Sequence, residues 1–362
     1  MRMIRLTAEA VAKIVGEGHR PLLPGTSALT LGVFDGVHLG HQELIRRTRA
    51  AQARLGLDHA ALLTFVQSPR QVLHPSDEPY QLTTWRAKLA ALQAADCGVL
   101  IAADFTPAVS RLDYRVFVAK ILVGQLGMRH FVAGHDVHLG AGRRGNAETL
   151  AALGDELGYG MEVCPPVDLD GSVVSSSAIR AAVTAGDVTL AGRMLGRPYS
   201  LWGVVEPGDS RGHTLGYPTA NVAPLEATKL LPAAGVYAVR VHVPGDLAPA
   251  GTPGVLGRVT AALPEVDKDG LLVGTAPADW AVFGGMLNFG HVPTFHGAGL
   301  PAARIEAHLF GFTGELQGRT VMVEWLARLR DEQRFAGVDQ LVAQLGRDAK
   351  AARQVLAQTP RP

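Results

Sequence analysis

The sequence has little cysteine. Two thiols, Cys97 and Cys164, in 362 residues cannot form a disulfide framework and point to a reducing compartment. It also lacks a charge of one sign. Thirty-four Lys and Arg face 33 Asp and Glu, a net charge of +1, so bulk charge recruits neither nucleic acid nor an anionic membrane, and only a local basic cleft stays compatible. No run reaches the roughly twenty apolar residues that a membrane span needs. The opening MRMIRLTAEAVAKIV interrupts its apolar residues with charge where a signal peptide needs an unbroken apolar core. The expectation is a soluble cytoplasmic protein without nucleic-acid or membrane partners, with homo-oligomerisation left open. What is present is a 47% hydrophobic composition, and the length allows two domains with separate cores.

The pattern of elements changes along the chain. Over residues 28–185 short apolar runs (ALTLGVF, HAALLTFV, CGVLIAA, RHFVAG, MEVCPP) alternate with helical patterns over Gln42–Leu55, Arg86–Ala95, Tyr114–Leu126, Ala147–Leu157 and Ala178–Thr184. That alternation predicts an α/β Rossmann-like unit, with a parallel sheet covered on both faces and ligands beyond the carboxyl ends of its strands. After a short helix and linker near residue 198, YSLWGVVE, GVYAVRVHV, ARIEAHLFGF and RTVMVEWL read as strands between Gly/Pro turns. Helical periodicity returns at Val338–Leu356. This predicts a mostly antiparallel β-barrel closed by a C-terminal helix. Residues 244–282 are rich in Gly, Pro and Ala and too long for an ordinary connection, so a surface excursion is expected there.

GVFDGVHLGHQELI (Gly32–Ile45) joins the first such strand to an amphipathic run. A strand entering a helix through a glycine turn aims free N–H groups and the positive dipole end at a bound anion. His38 and His41, three apart on the first turn, can reach the same anion and stabilise charge developing on a phosphate. A chance surface pair and half of a metal site are the other readings, but no Cys or carboxylate cluster nearby completes a zinc set.

VSSSAIR (Val174–Arg180) sets three hydroxyls at a helix start and an arginine one turn in, which suits phosphate binding and equally suits ordinary N-capping. With the histidine pair in the same unit, binding of a nucleoside triphosphate is the better reading. GDSRGHTLGYPTAN (Gly208–Asn221) offers a glycine backbone able to wrap a phosphate, and Thr219 and Asn221 are hard oxygen donors suited to Mg²⁺. A glycine-rich hairpin loop would look the same.

GVFDGVHLGHQ, PYQLTT, VVSSSAIR, LGRPYSLWGVV, GDSRGHTLGYPTAN, PAAGVYAVRV and RDEQRF, in that order, resemble the blocks of the bacterial bifunctional riboflavin kinase/FMN adenylyltransferase (FAD synthetase) family over nearly the whole chain. The resemblance implies an adenylyltransferase domain at residues 1–185, moving AMP from ATP to FMN. It implies a riboflavin kinase domain at 186–362, with 244–282 inserted. In the first, Gly32, Phe34, Asp35 and Gly36 would shape the turn, and His38 and His41 would act on the ATP phosphates. Asp136, Ser175, Ser176, Ser177 and Arg180 would hold the nucleotide. In the second, Gly208, Arg211, Gly212, Thr214, Gly216 and Pro218 would wrap ATP or flavin, helped by Asn288, Thr294 and Arg330. Thr219 and Asn221 would hold Mg²⁺, and Glu306 would be the general base for the ribityl hydroxyl. ATP is then the co-substrate, and riboflavin, FMN and FAD the substrates and products.

The kinase domain departs from the family at GGMLNFGHVPTF and GFTGELQG, and two blocks depart in the first domain. TFVQSP replaces a TFDPHP-like stretch, and GHDVHLG keeps Asp136 but carries Val137 and Leu139 in place of aromatics. Both changes fall on the acceptor side, so weakened FMN binding is expected. Kinase activity alone, or a non-catalytic flavin- or nucleotide-binding regulator, are the alternatives. The joint presence of His38, His41, Arg180, Thr219, Asn221 and Glu306 argues against the regulator, which needs neither a base nor a histidine pair.

Overall fold

The computed structural model describes residues 1–17, 20–208, 216–248, 251–261, 264–266, 272–274, 278–291 and 303–361. They divide into two compact units. Unit 1 is Met1–Glu78, Trp85–Ser175 and Pro264–Thr275, and unit 2 is Pro79–Thr84, Ser176–Leu263 and Ala276–Pro362.

Unit 1 holds a six-stranded sheet of β1 (Arg2–Leu6), β2 (Ser27–Leu31), β3 (His59–Phe65), β4 (Val99–Ala103), β5 (Met128–Gly134) and β6 (Gly160–Cys164) in the order β1-β4-β3-β2-β5-β6. Every pairing is parallel. β4 (VLIAA) is buried at all five positions, the unbroken apolar run that a strand covered on both faces requires. The connections carry α1 (Ala8–Gly16), α2 (Leu39–Leu55), α3 (Pro69–Leu73), α4 (Trp85–Ala94), α5 (Pro107–Ser110), α6 (Tyr114–Val116) and α7 (Ala147–Leu157). α2 buries Leu44, Ile45, Thr48 and Ala51 and stops at Gly56, which caps it in the left-handed region. A two-stranded hairpin, β7 (Asp168–Leu169) and β8 (Ser172–Val173), follows β6.

The parallel sheet agrees with the alternation in the sequence. The sequence pattern does not mark β1 as a strand, because Arg2 and Arg5 break up its apolar residues. It is an edge strand paired only to β4, and Arg5 is accommodated by the Ala102 carbonyl and the Asp104 carboxylate. The helix expected over Tyr114–Leu126 is α6 running into a π-helical segment, Phe117–Val123.

Besides Pro79–Thr84, unit 2 holds α8 (Ser176–Thr184) and α9 (Val188–Leu195). Its strands are β9 (Tyr199–Glu206), β10 (Ala220–Pro224), β11 (Gly235–Pro244), β12 (Val255–Ala261), β15 (Ala278–His291), β16 (Ala303–Leu309) and β17 (Thr320–Arg330); the small pair β13 (Glu265–Val266) and β14 (Leu272–Gly274) belongs to unit 1. Six of them run β11-β17-β9-β10-β16-β15, and β15 pairs back to β11, closing an antiparallel barrel with β12 added on β15. One face is apolar without a break through Tyr237, Val239, Val241, Leu287, Ala307, Val321, Val323 and Trp325, all buried. α10 (Val338–Gln358) packs Leu345, Ala349, Ala352, Val355 and Leu356 near Ala238 and Met286 on the other face.

The excursion expected over 244–282 is shorter than that range. β12 joins the sheet, and β15 is already a barrel strand at Trp280–Val282, where all three residues are buried. Small residues in this stretch conceal strands whose partners are distant in sequence.

Trp325 is 1% exposed and lies 5.8 Å, centroid to centroid, from the Tyr199 ring. Trp325→Ala is expected to cost about 3–5 kcal/mol, read as a lower denaturation midpoint by circular dichroism.

Candidate functional site

The winding of the unit 1 sheet reverses between β2 and its neighbour β5. Loops leaving the carboxyl ends of two such strands diverge and open a crevice. The segment Gly32–His38 leaves β2, and Asp136 follows β5, so both predicted groups come to that crevice. The turn is tight. Phe34 has φ +52°, Gly36 φ +89° and Val37 φ +42°. For a β-branched valine that conformation stores on the order of 1–3 kcal/mol, as strained turns at functional sites do. Phe34, Asp35, Val37 and His38 are all buried.

His38 is the N-cap residue of α2, and its carbonyl accepts from the Gln42 N–H at 2.9 Å. The His38 and His41 rings stack with centroids 3.6 Å apart, and the Phe34 ring lies 4.8 Å from His41. Gly40 makes room for this. A Cβ there would lie 3.2 Å from the His38 ring and 3.8 Å from the Val174 carbonyl, so Ser175 arrives beside the first turn of α2. Ser176 opens α8, Ser177 is exposed in its first turn, and Arg180 lies one turn in. The Arg180 Nε donates to the Tyr80 carbonyl at 2.9 Å.

A residue that sequence reasoning missed lies beneath this turn. Lys88 of α4 is 5% exposed. Its Nζ donates to the Val33 carbonyl at 2.9 Å and sits 3.5 Å from the Phe65 carbonyl. Burial pushes the ammonium down to about 8 from the usual 10.5, with Asp35 acting the other way. The folded value lies below the unfolded one, so holding the charge costs the fold on the order of 3 kcal/mol at neutral pH. The cost is present in full below pH 8 and vanishes as pH rises towards the unfolded value. The signal was its place on the apolar stripe with Leu89 and Leu92.

Of the two altered blocks, Ser68 is the N-cap residue of α3, while Leu139 is 6% exposed within the main core with Val137 packed against it. Leu139 is therefore a packing residue.

In unit 2 the strand register assembles the predicted groups. Asn221 on β10 lies opposite Glu306 on β16, which lies opposite Asn288 on β15. Opposed residues share a face, so two amides flank one carboxylate. Glu206 on β9 extends the row beside Asn221, a neighbour that sequence reasoning did not single out. Gly208 permits a close approach, because a Cβ there would collide with the Asn221 amide. Thr219 and Pro218 are exposed just before β10, and Gly216 takes φ +78°. Arg211, Gly212, Thr214 and Thr294 lie outside the described residues.

His308, also missed, lies two residues from Glu306 on the same face. Its Nδ1–H donates to the Pro218 carbonyl at 2.7 Å, and the Tyr217 ring packs edge-on at 5.3 Å. Burial pushes its imidazole below the usual range. Arg330 ties β17 to α10, its Nε and Nη2 donating to Asp348 at 3.0 and 2.7 Å. Beyond it, Gln333, Arg334, Phe335, Gln340, Gln344 and Arg347 border a cleft of about 520 Å³.

A parallel sheet with a charged turn at its switch point, followed by a closed barrel with a carboxylate between two amides, defines a two-unit transferase of the nucleotide-handling class. Residues 22–178 match the FAD synthetase family and residues 195–356 the riboflavin kinase family. The chain belongs to the bifunctional riboflavin kinase/FMN adenylyltransferase family. It is 33% identical over 330 residues to the Bacillus subtilis member, covering 90% of this chain and 91% of that one. The Escherichia coli K12 member is 32% identical over 333 residues, covering 91% and 93%. A crystal structure described as a macrolide-efflux protein from Streptococcus pneumoniae superposes with a TM-score of 0.76 at 30% identity, covering 97% of this chain and 99% of that one. Among the described residues no helix is long and apolar enough to cross a membrane.

The Asp348 carboxylate is 4% exposed and the Arg330 side chain 15%. Asp348→Ala leaves a buried guanidinium without its carboxylate and is expected to cost about 3–5 kcal/mol, measured as a lower urea midpoint.

Proposed function

We propose that this chain phosphorylates riboflavin to FMN with ATP and then transfers AMP from a second ATP to FMN, releasing FAD and pyrophosphate. The adenylyl step is assigned to residues 1–185 and the kinase step to 186–362. The reading is supported by one observation above all, that a single chain carries both a stacked imidazole pair at a sheet switch point and a carboxylate flanked by amides at a barrel rung.

For adenylyl transfer the FMN phosphate attacks the α-phosphorus of ATP in line, the bond to the bridging oxygen breaks, and pyrophosphate leaves. The protein's work is positioning and charge stabilisation. The α2 N-terminus faces the phosphates, and Ser175 beside its first turn holds the tail of the triphosphate. Two cationic rings 3.6 Å apart would repel each other, and a polyanion between them and the helix end relieves that repulsion.

For the kinase, Glu306 accepts the proton of the ribityl 5′-hydroxyl as that oxygen attacks the γ-phosphorus. The Thr219 hydroxyl, the Asn221 amide oxygen and the phosphate oxygens form a hard-oxygen set that fits Mg²⁺. The ion supplies neutralisation of charge on the phosphates. Phe335, at the cleft beside α10, offers a ring on which an isoalloxazine would stack. Both cysteines are free and buried, in keeping with a cytoplasmic setting.

Incubation with riboflavin, ATP and Mg²⁺, followed by chromatographic separation, should show FMN and then FAD. Glu306→Gln keeps the shape and removes the base, so FMN formation from riboflavin should fall about 10²–10⁴-fold, while conversion of supplied FMN to FAD persists. Equal kinase rates for the two proteins would exclude Glu306 as the base. FMN without FAD would leave a kinase alone.

A further inference from the structure

We propose that Lys88 is a positioning residue for adenylyl transfer: its buried ammonium holds the Val33 carbonyl and, through it, the turn that presents His38 and His41. This rests on the adenylyltransferase reading of unit 1.

The position on α4 asks for an apolar side chain. Leu89 and Leu92 beside it are fully buried, and a leucine or methionine would continue that stripe without desolvating a charge. The ammonium nevertheless points at the carboxyl ends of β2 and β3, towards the Val33 and Phe65 carbonyls. The Thr64 hydroxyl donates to the same Val33 carbonyl at 3.0 Å, so this peptide is held by two donors. It is the peptide immediately before Phe34, the first residue of the turn with positive φ. Its orientation sets where the Phe34 ring goes, and that ring supports His41, which stacks on His38. If the peptide rotates, both imidazoles lose their seat.

The charged group acting on Lys88 is Asp35, on the turn itself. From β3 it meets the Phe65 carbonyl, and on its own helix the Trp85 ring at 5.6 Å. Among the described residues no salt bridge is formed by Lys88. Filling the apolar stripe would be served as well by a neutral side chain, so the charge is explained by what it holds.

The chain supplies its own control, because riboflavin phosphorylation reports on the other unit. In Lys88→Met, FAD formation from FMN and ATP should fall about 10–100-fold in kcat, since a displacement of about 1 Å at a reacting centre has an effect of that size. Kinase turnover should be unchanged. The melting temperature should stay level or rise, because a buried charge has been removed. A merely structural lysine would instead give a lower melting temperature, with FAD formation reduced only as far as the folded fraction is, and that result overturns the proposal. So does unchanged FAD formation in a folded variant. If the variant does not fold, the wild-type pH profile decides. FAD formation should decline as pH rises through about 8, where the ammonium loses its proton, with no such decline in the kinase reaction. A rate level up to pH of about 10 overturns it. Wild-type protein that makes no FAD at any pH would remove the reading of unit 1 itself.

Discussion

Strand register decides where the candidate groups of unit 2 sit. Each strand places alternate side chains on opposite faces, so a slip of one residue would exchange the buried set for the exposed one. In the barrel, the pairing of β15 back to β11 closes the ring and leaves no free strand end along which the register could drift. Asn221, Glu306 and Asn288 stand in one row only because three strands, brought together from distant parts of the chain, keep that register. Their common face also carries His308, which holds the Pro218 carbonyl and so fixes the approach to Thr219.

The parallel sheet of unit 1 works by a different constraint. Its strands are buried on both faces, so chemistry is confined to their carboxyl ends. The reversal of winding between β2 and β5 is where two such ends part. The turn that fills the gap is strained at Phe34 and Val37 and is held from below by a lysine whose burial opposes its charge. Strain and a buried cation in one short segment are costs that packing elsewhere must offset. Phe34, Val37, Ile45, Leu89 and Leu92 supply part of that packing in a single cluster.

The two units use the same physical materials differently. In unit 1 the groups proposed to face phosphate are two imidazoles and the N–H donors at the start of α2. In unit 2 they are oxygen donors and a carboxylate in a row along the sheet. The first arrangement suits direct stabilisation of an anion. The second suits a divalent cation and removal of a proton. Arg330, a candidate of the second site, pairs with Asp348 and anchors α10 to the barrel.

Local chemistry was enough to read much of this from the sequence. Turn glycines, apolar periodicity and the HxGH, SSSxIR and PTAN blocks are written in consecutive residues, and they placed the parallel sheet, most barrel strands and the closing helix. What was not legible depends on partners far away in the chain. β1 is a strand because β4 offers it an edge, and β15 starts at Ala278 because β11 and β12 flank it. Leu139 looked like a ligand contact and is core. Lys88 carries no local mark of its place under the histidine turn. The sequence by itself determined which residues could act on phosphates, because that is a property of side chains and of their immediate neighbours. Only the tertiary structure decided which of them share a face or a carbonyl, because closing a barrel and packing a helix under a turn join residues tens of positions apart, such as Asn221 and Glu306 or Val33 and Lys88, in an order that no local pattern encodes.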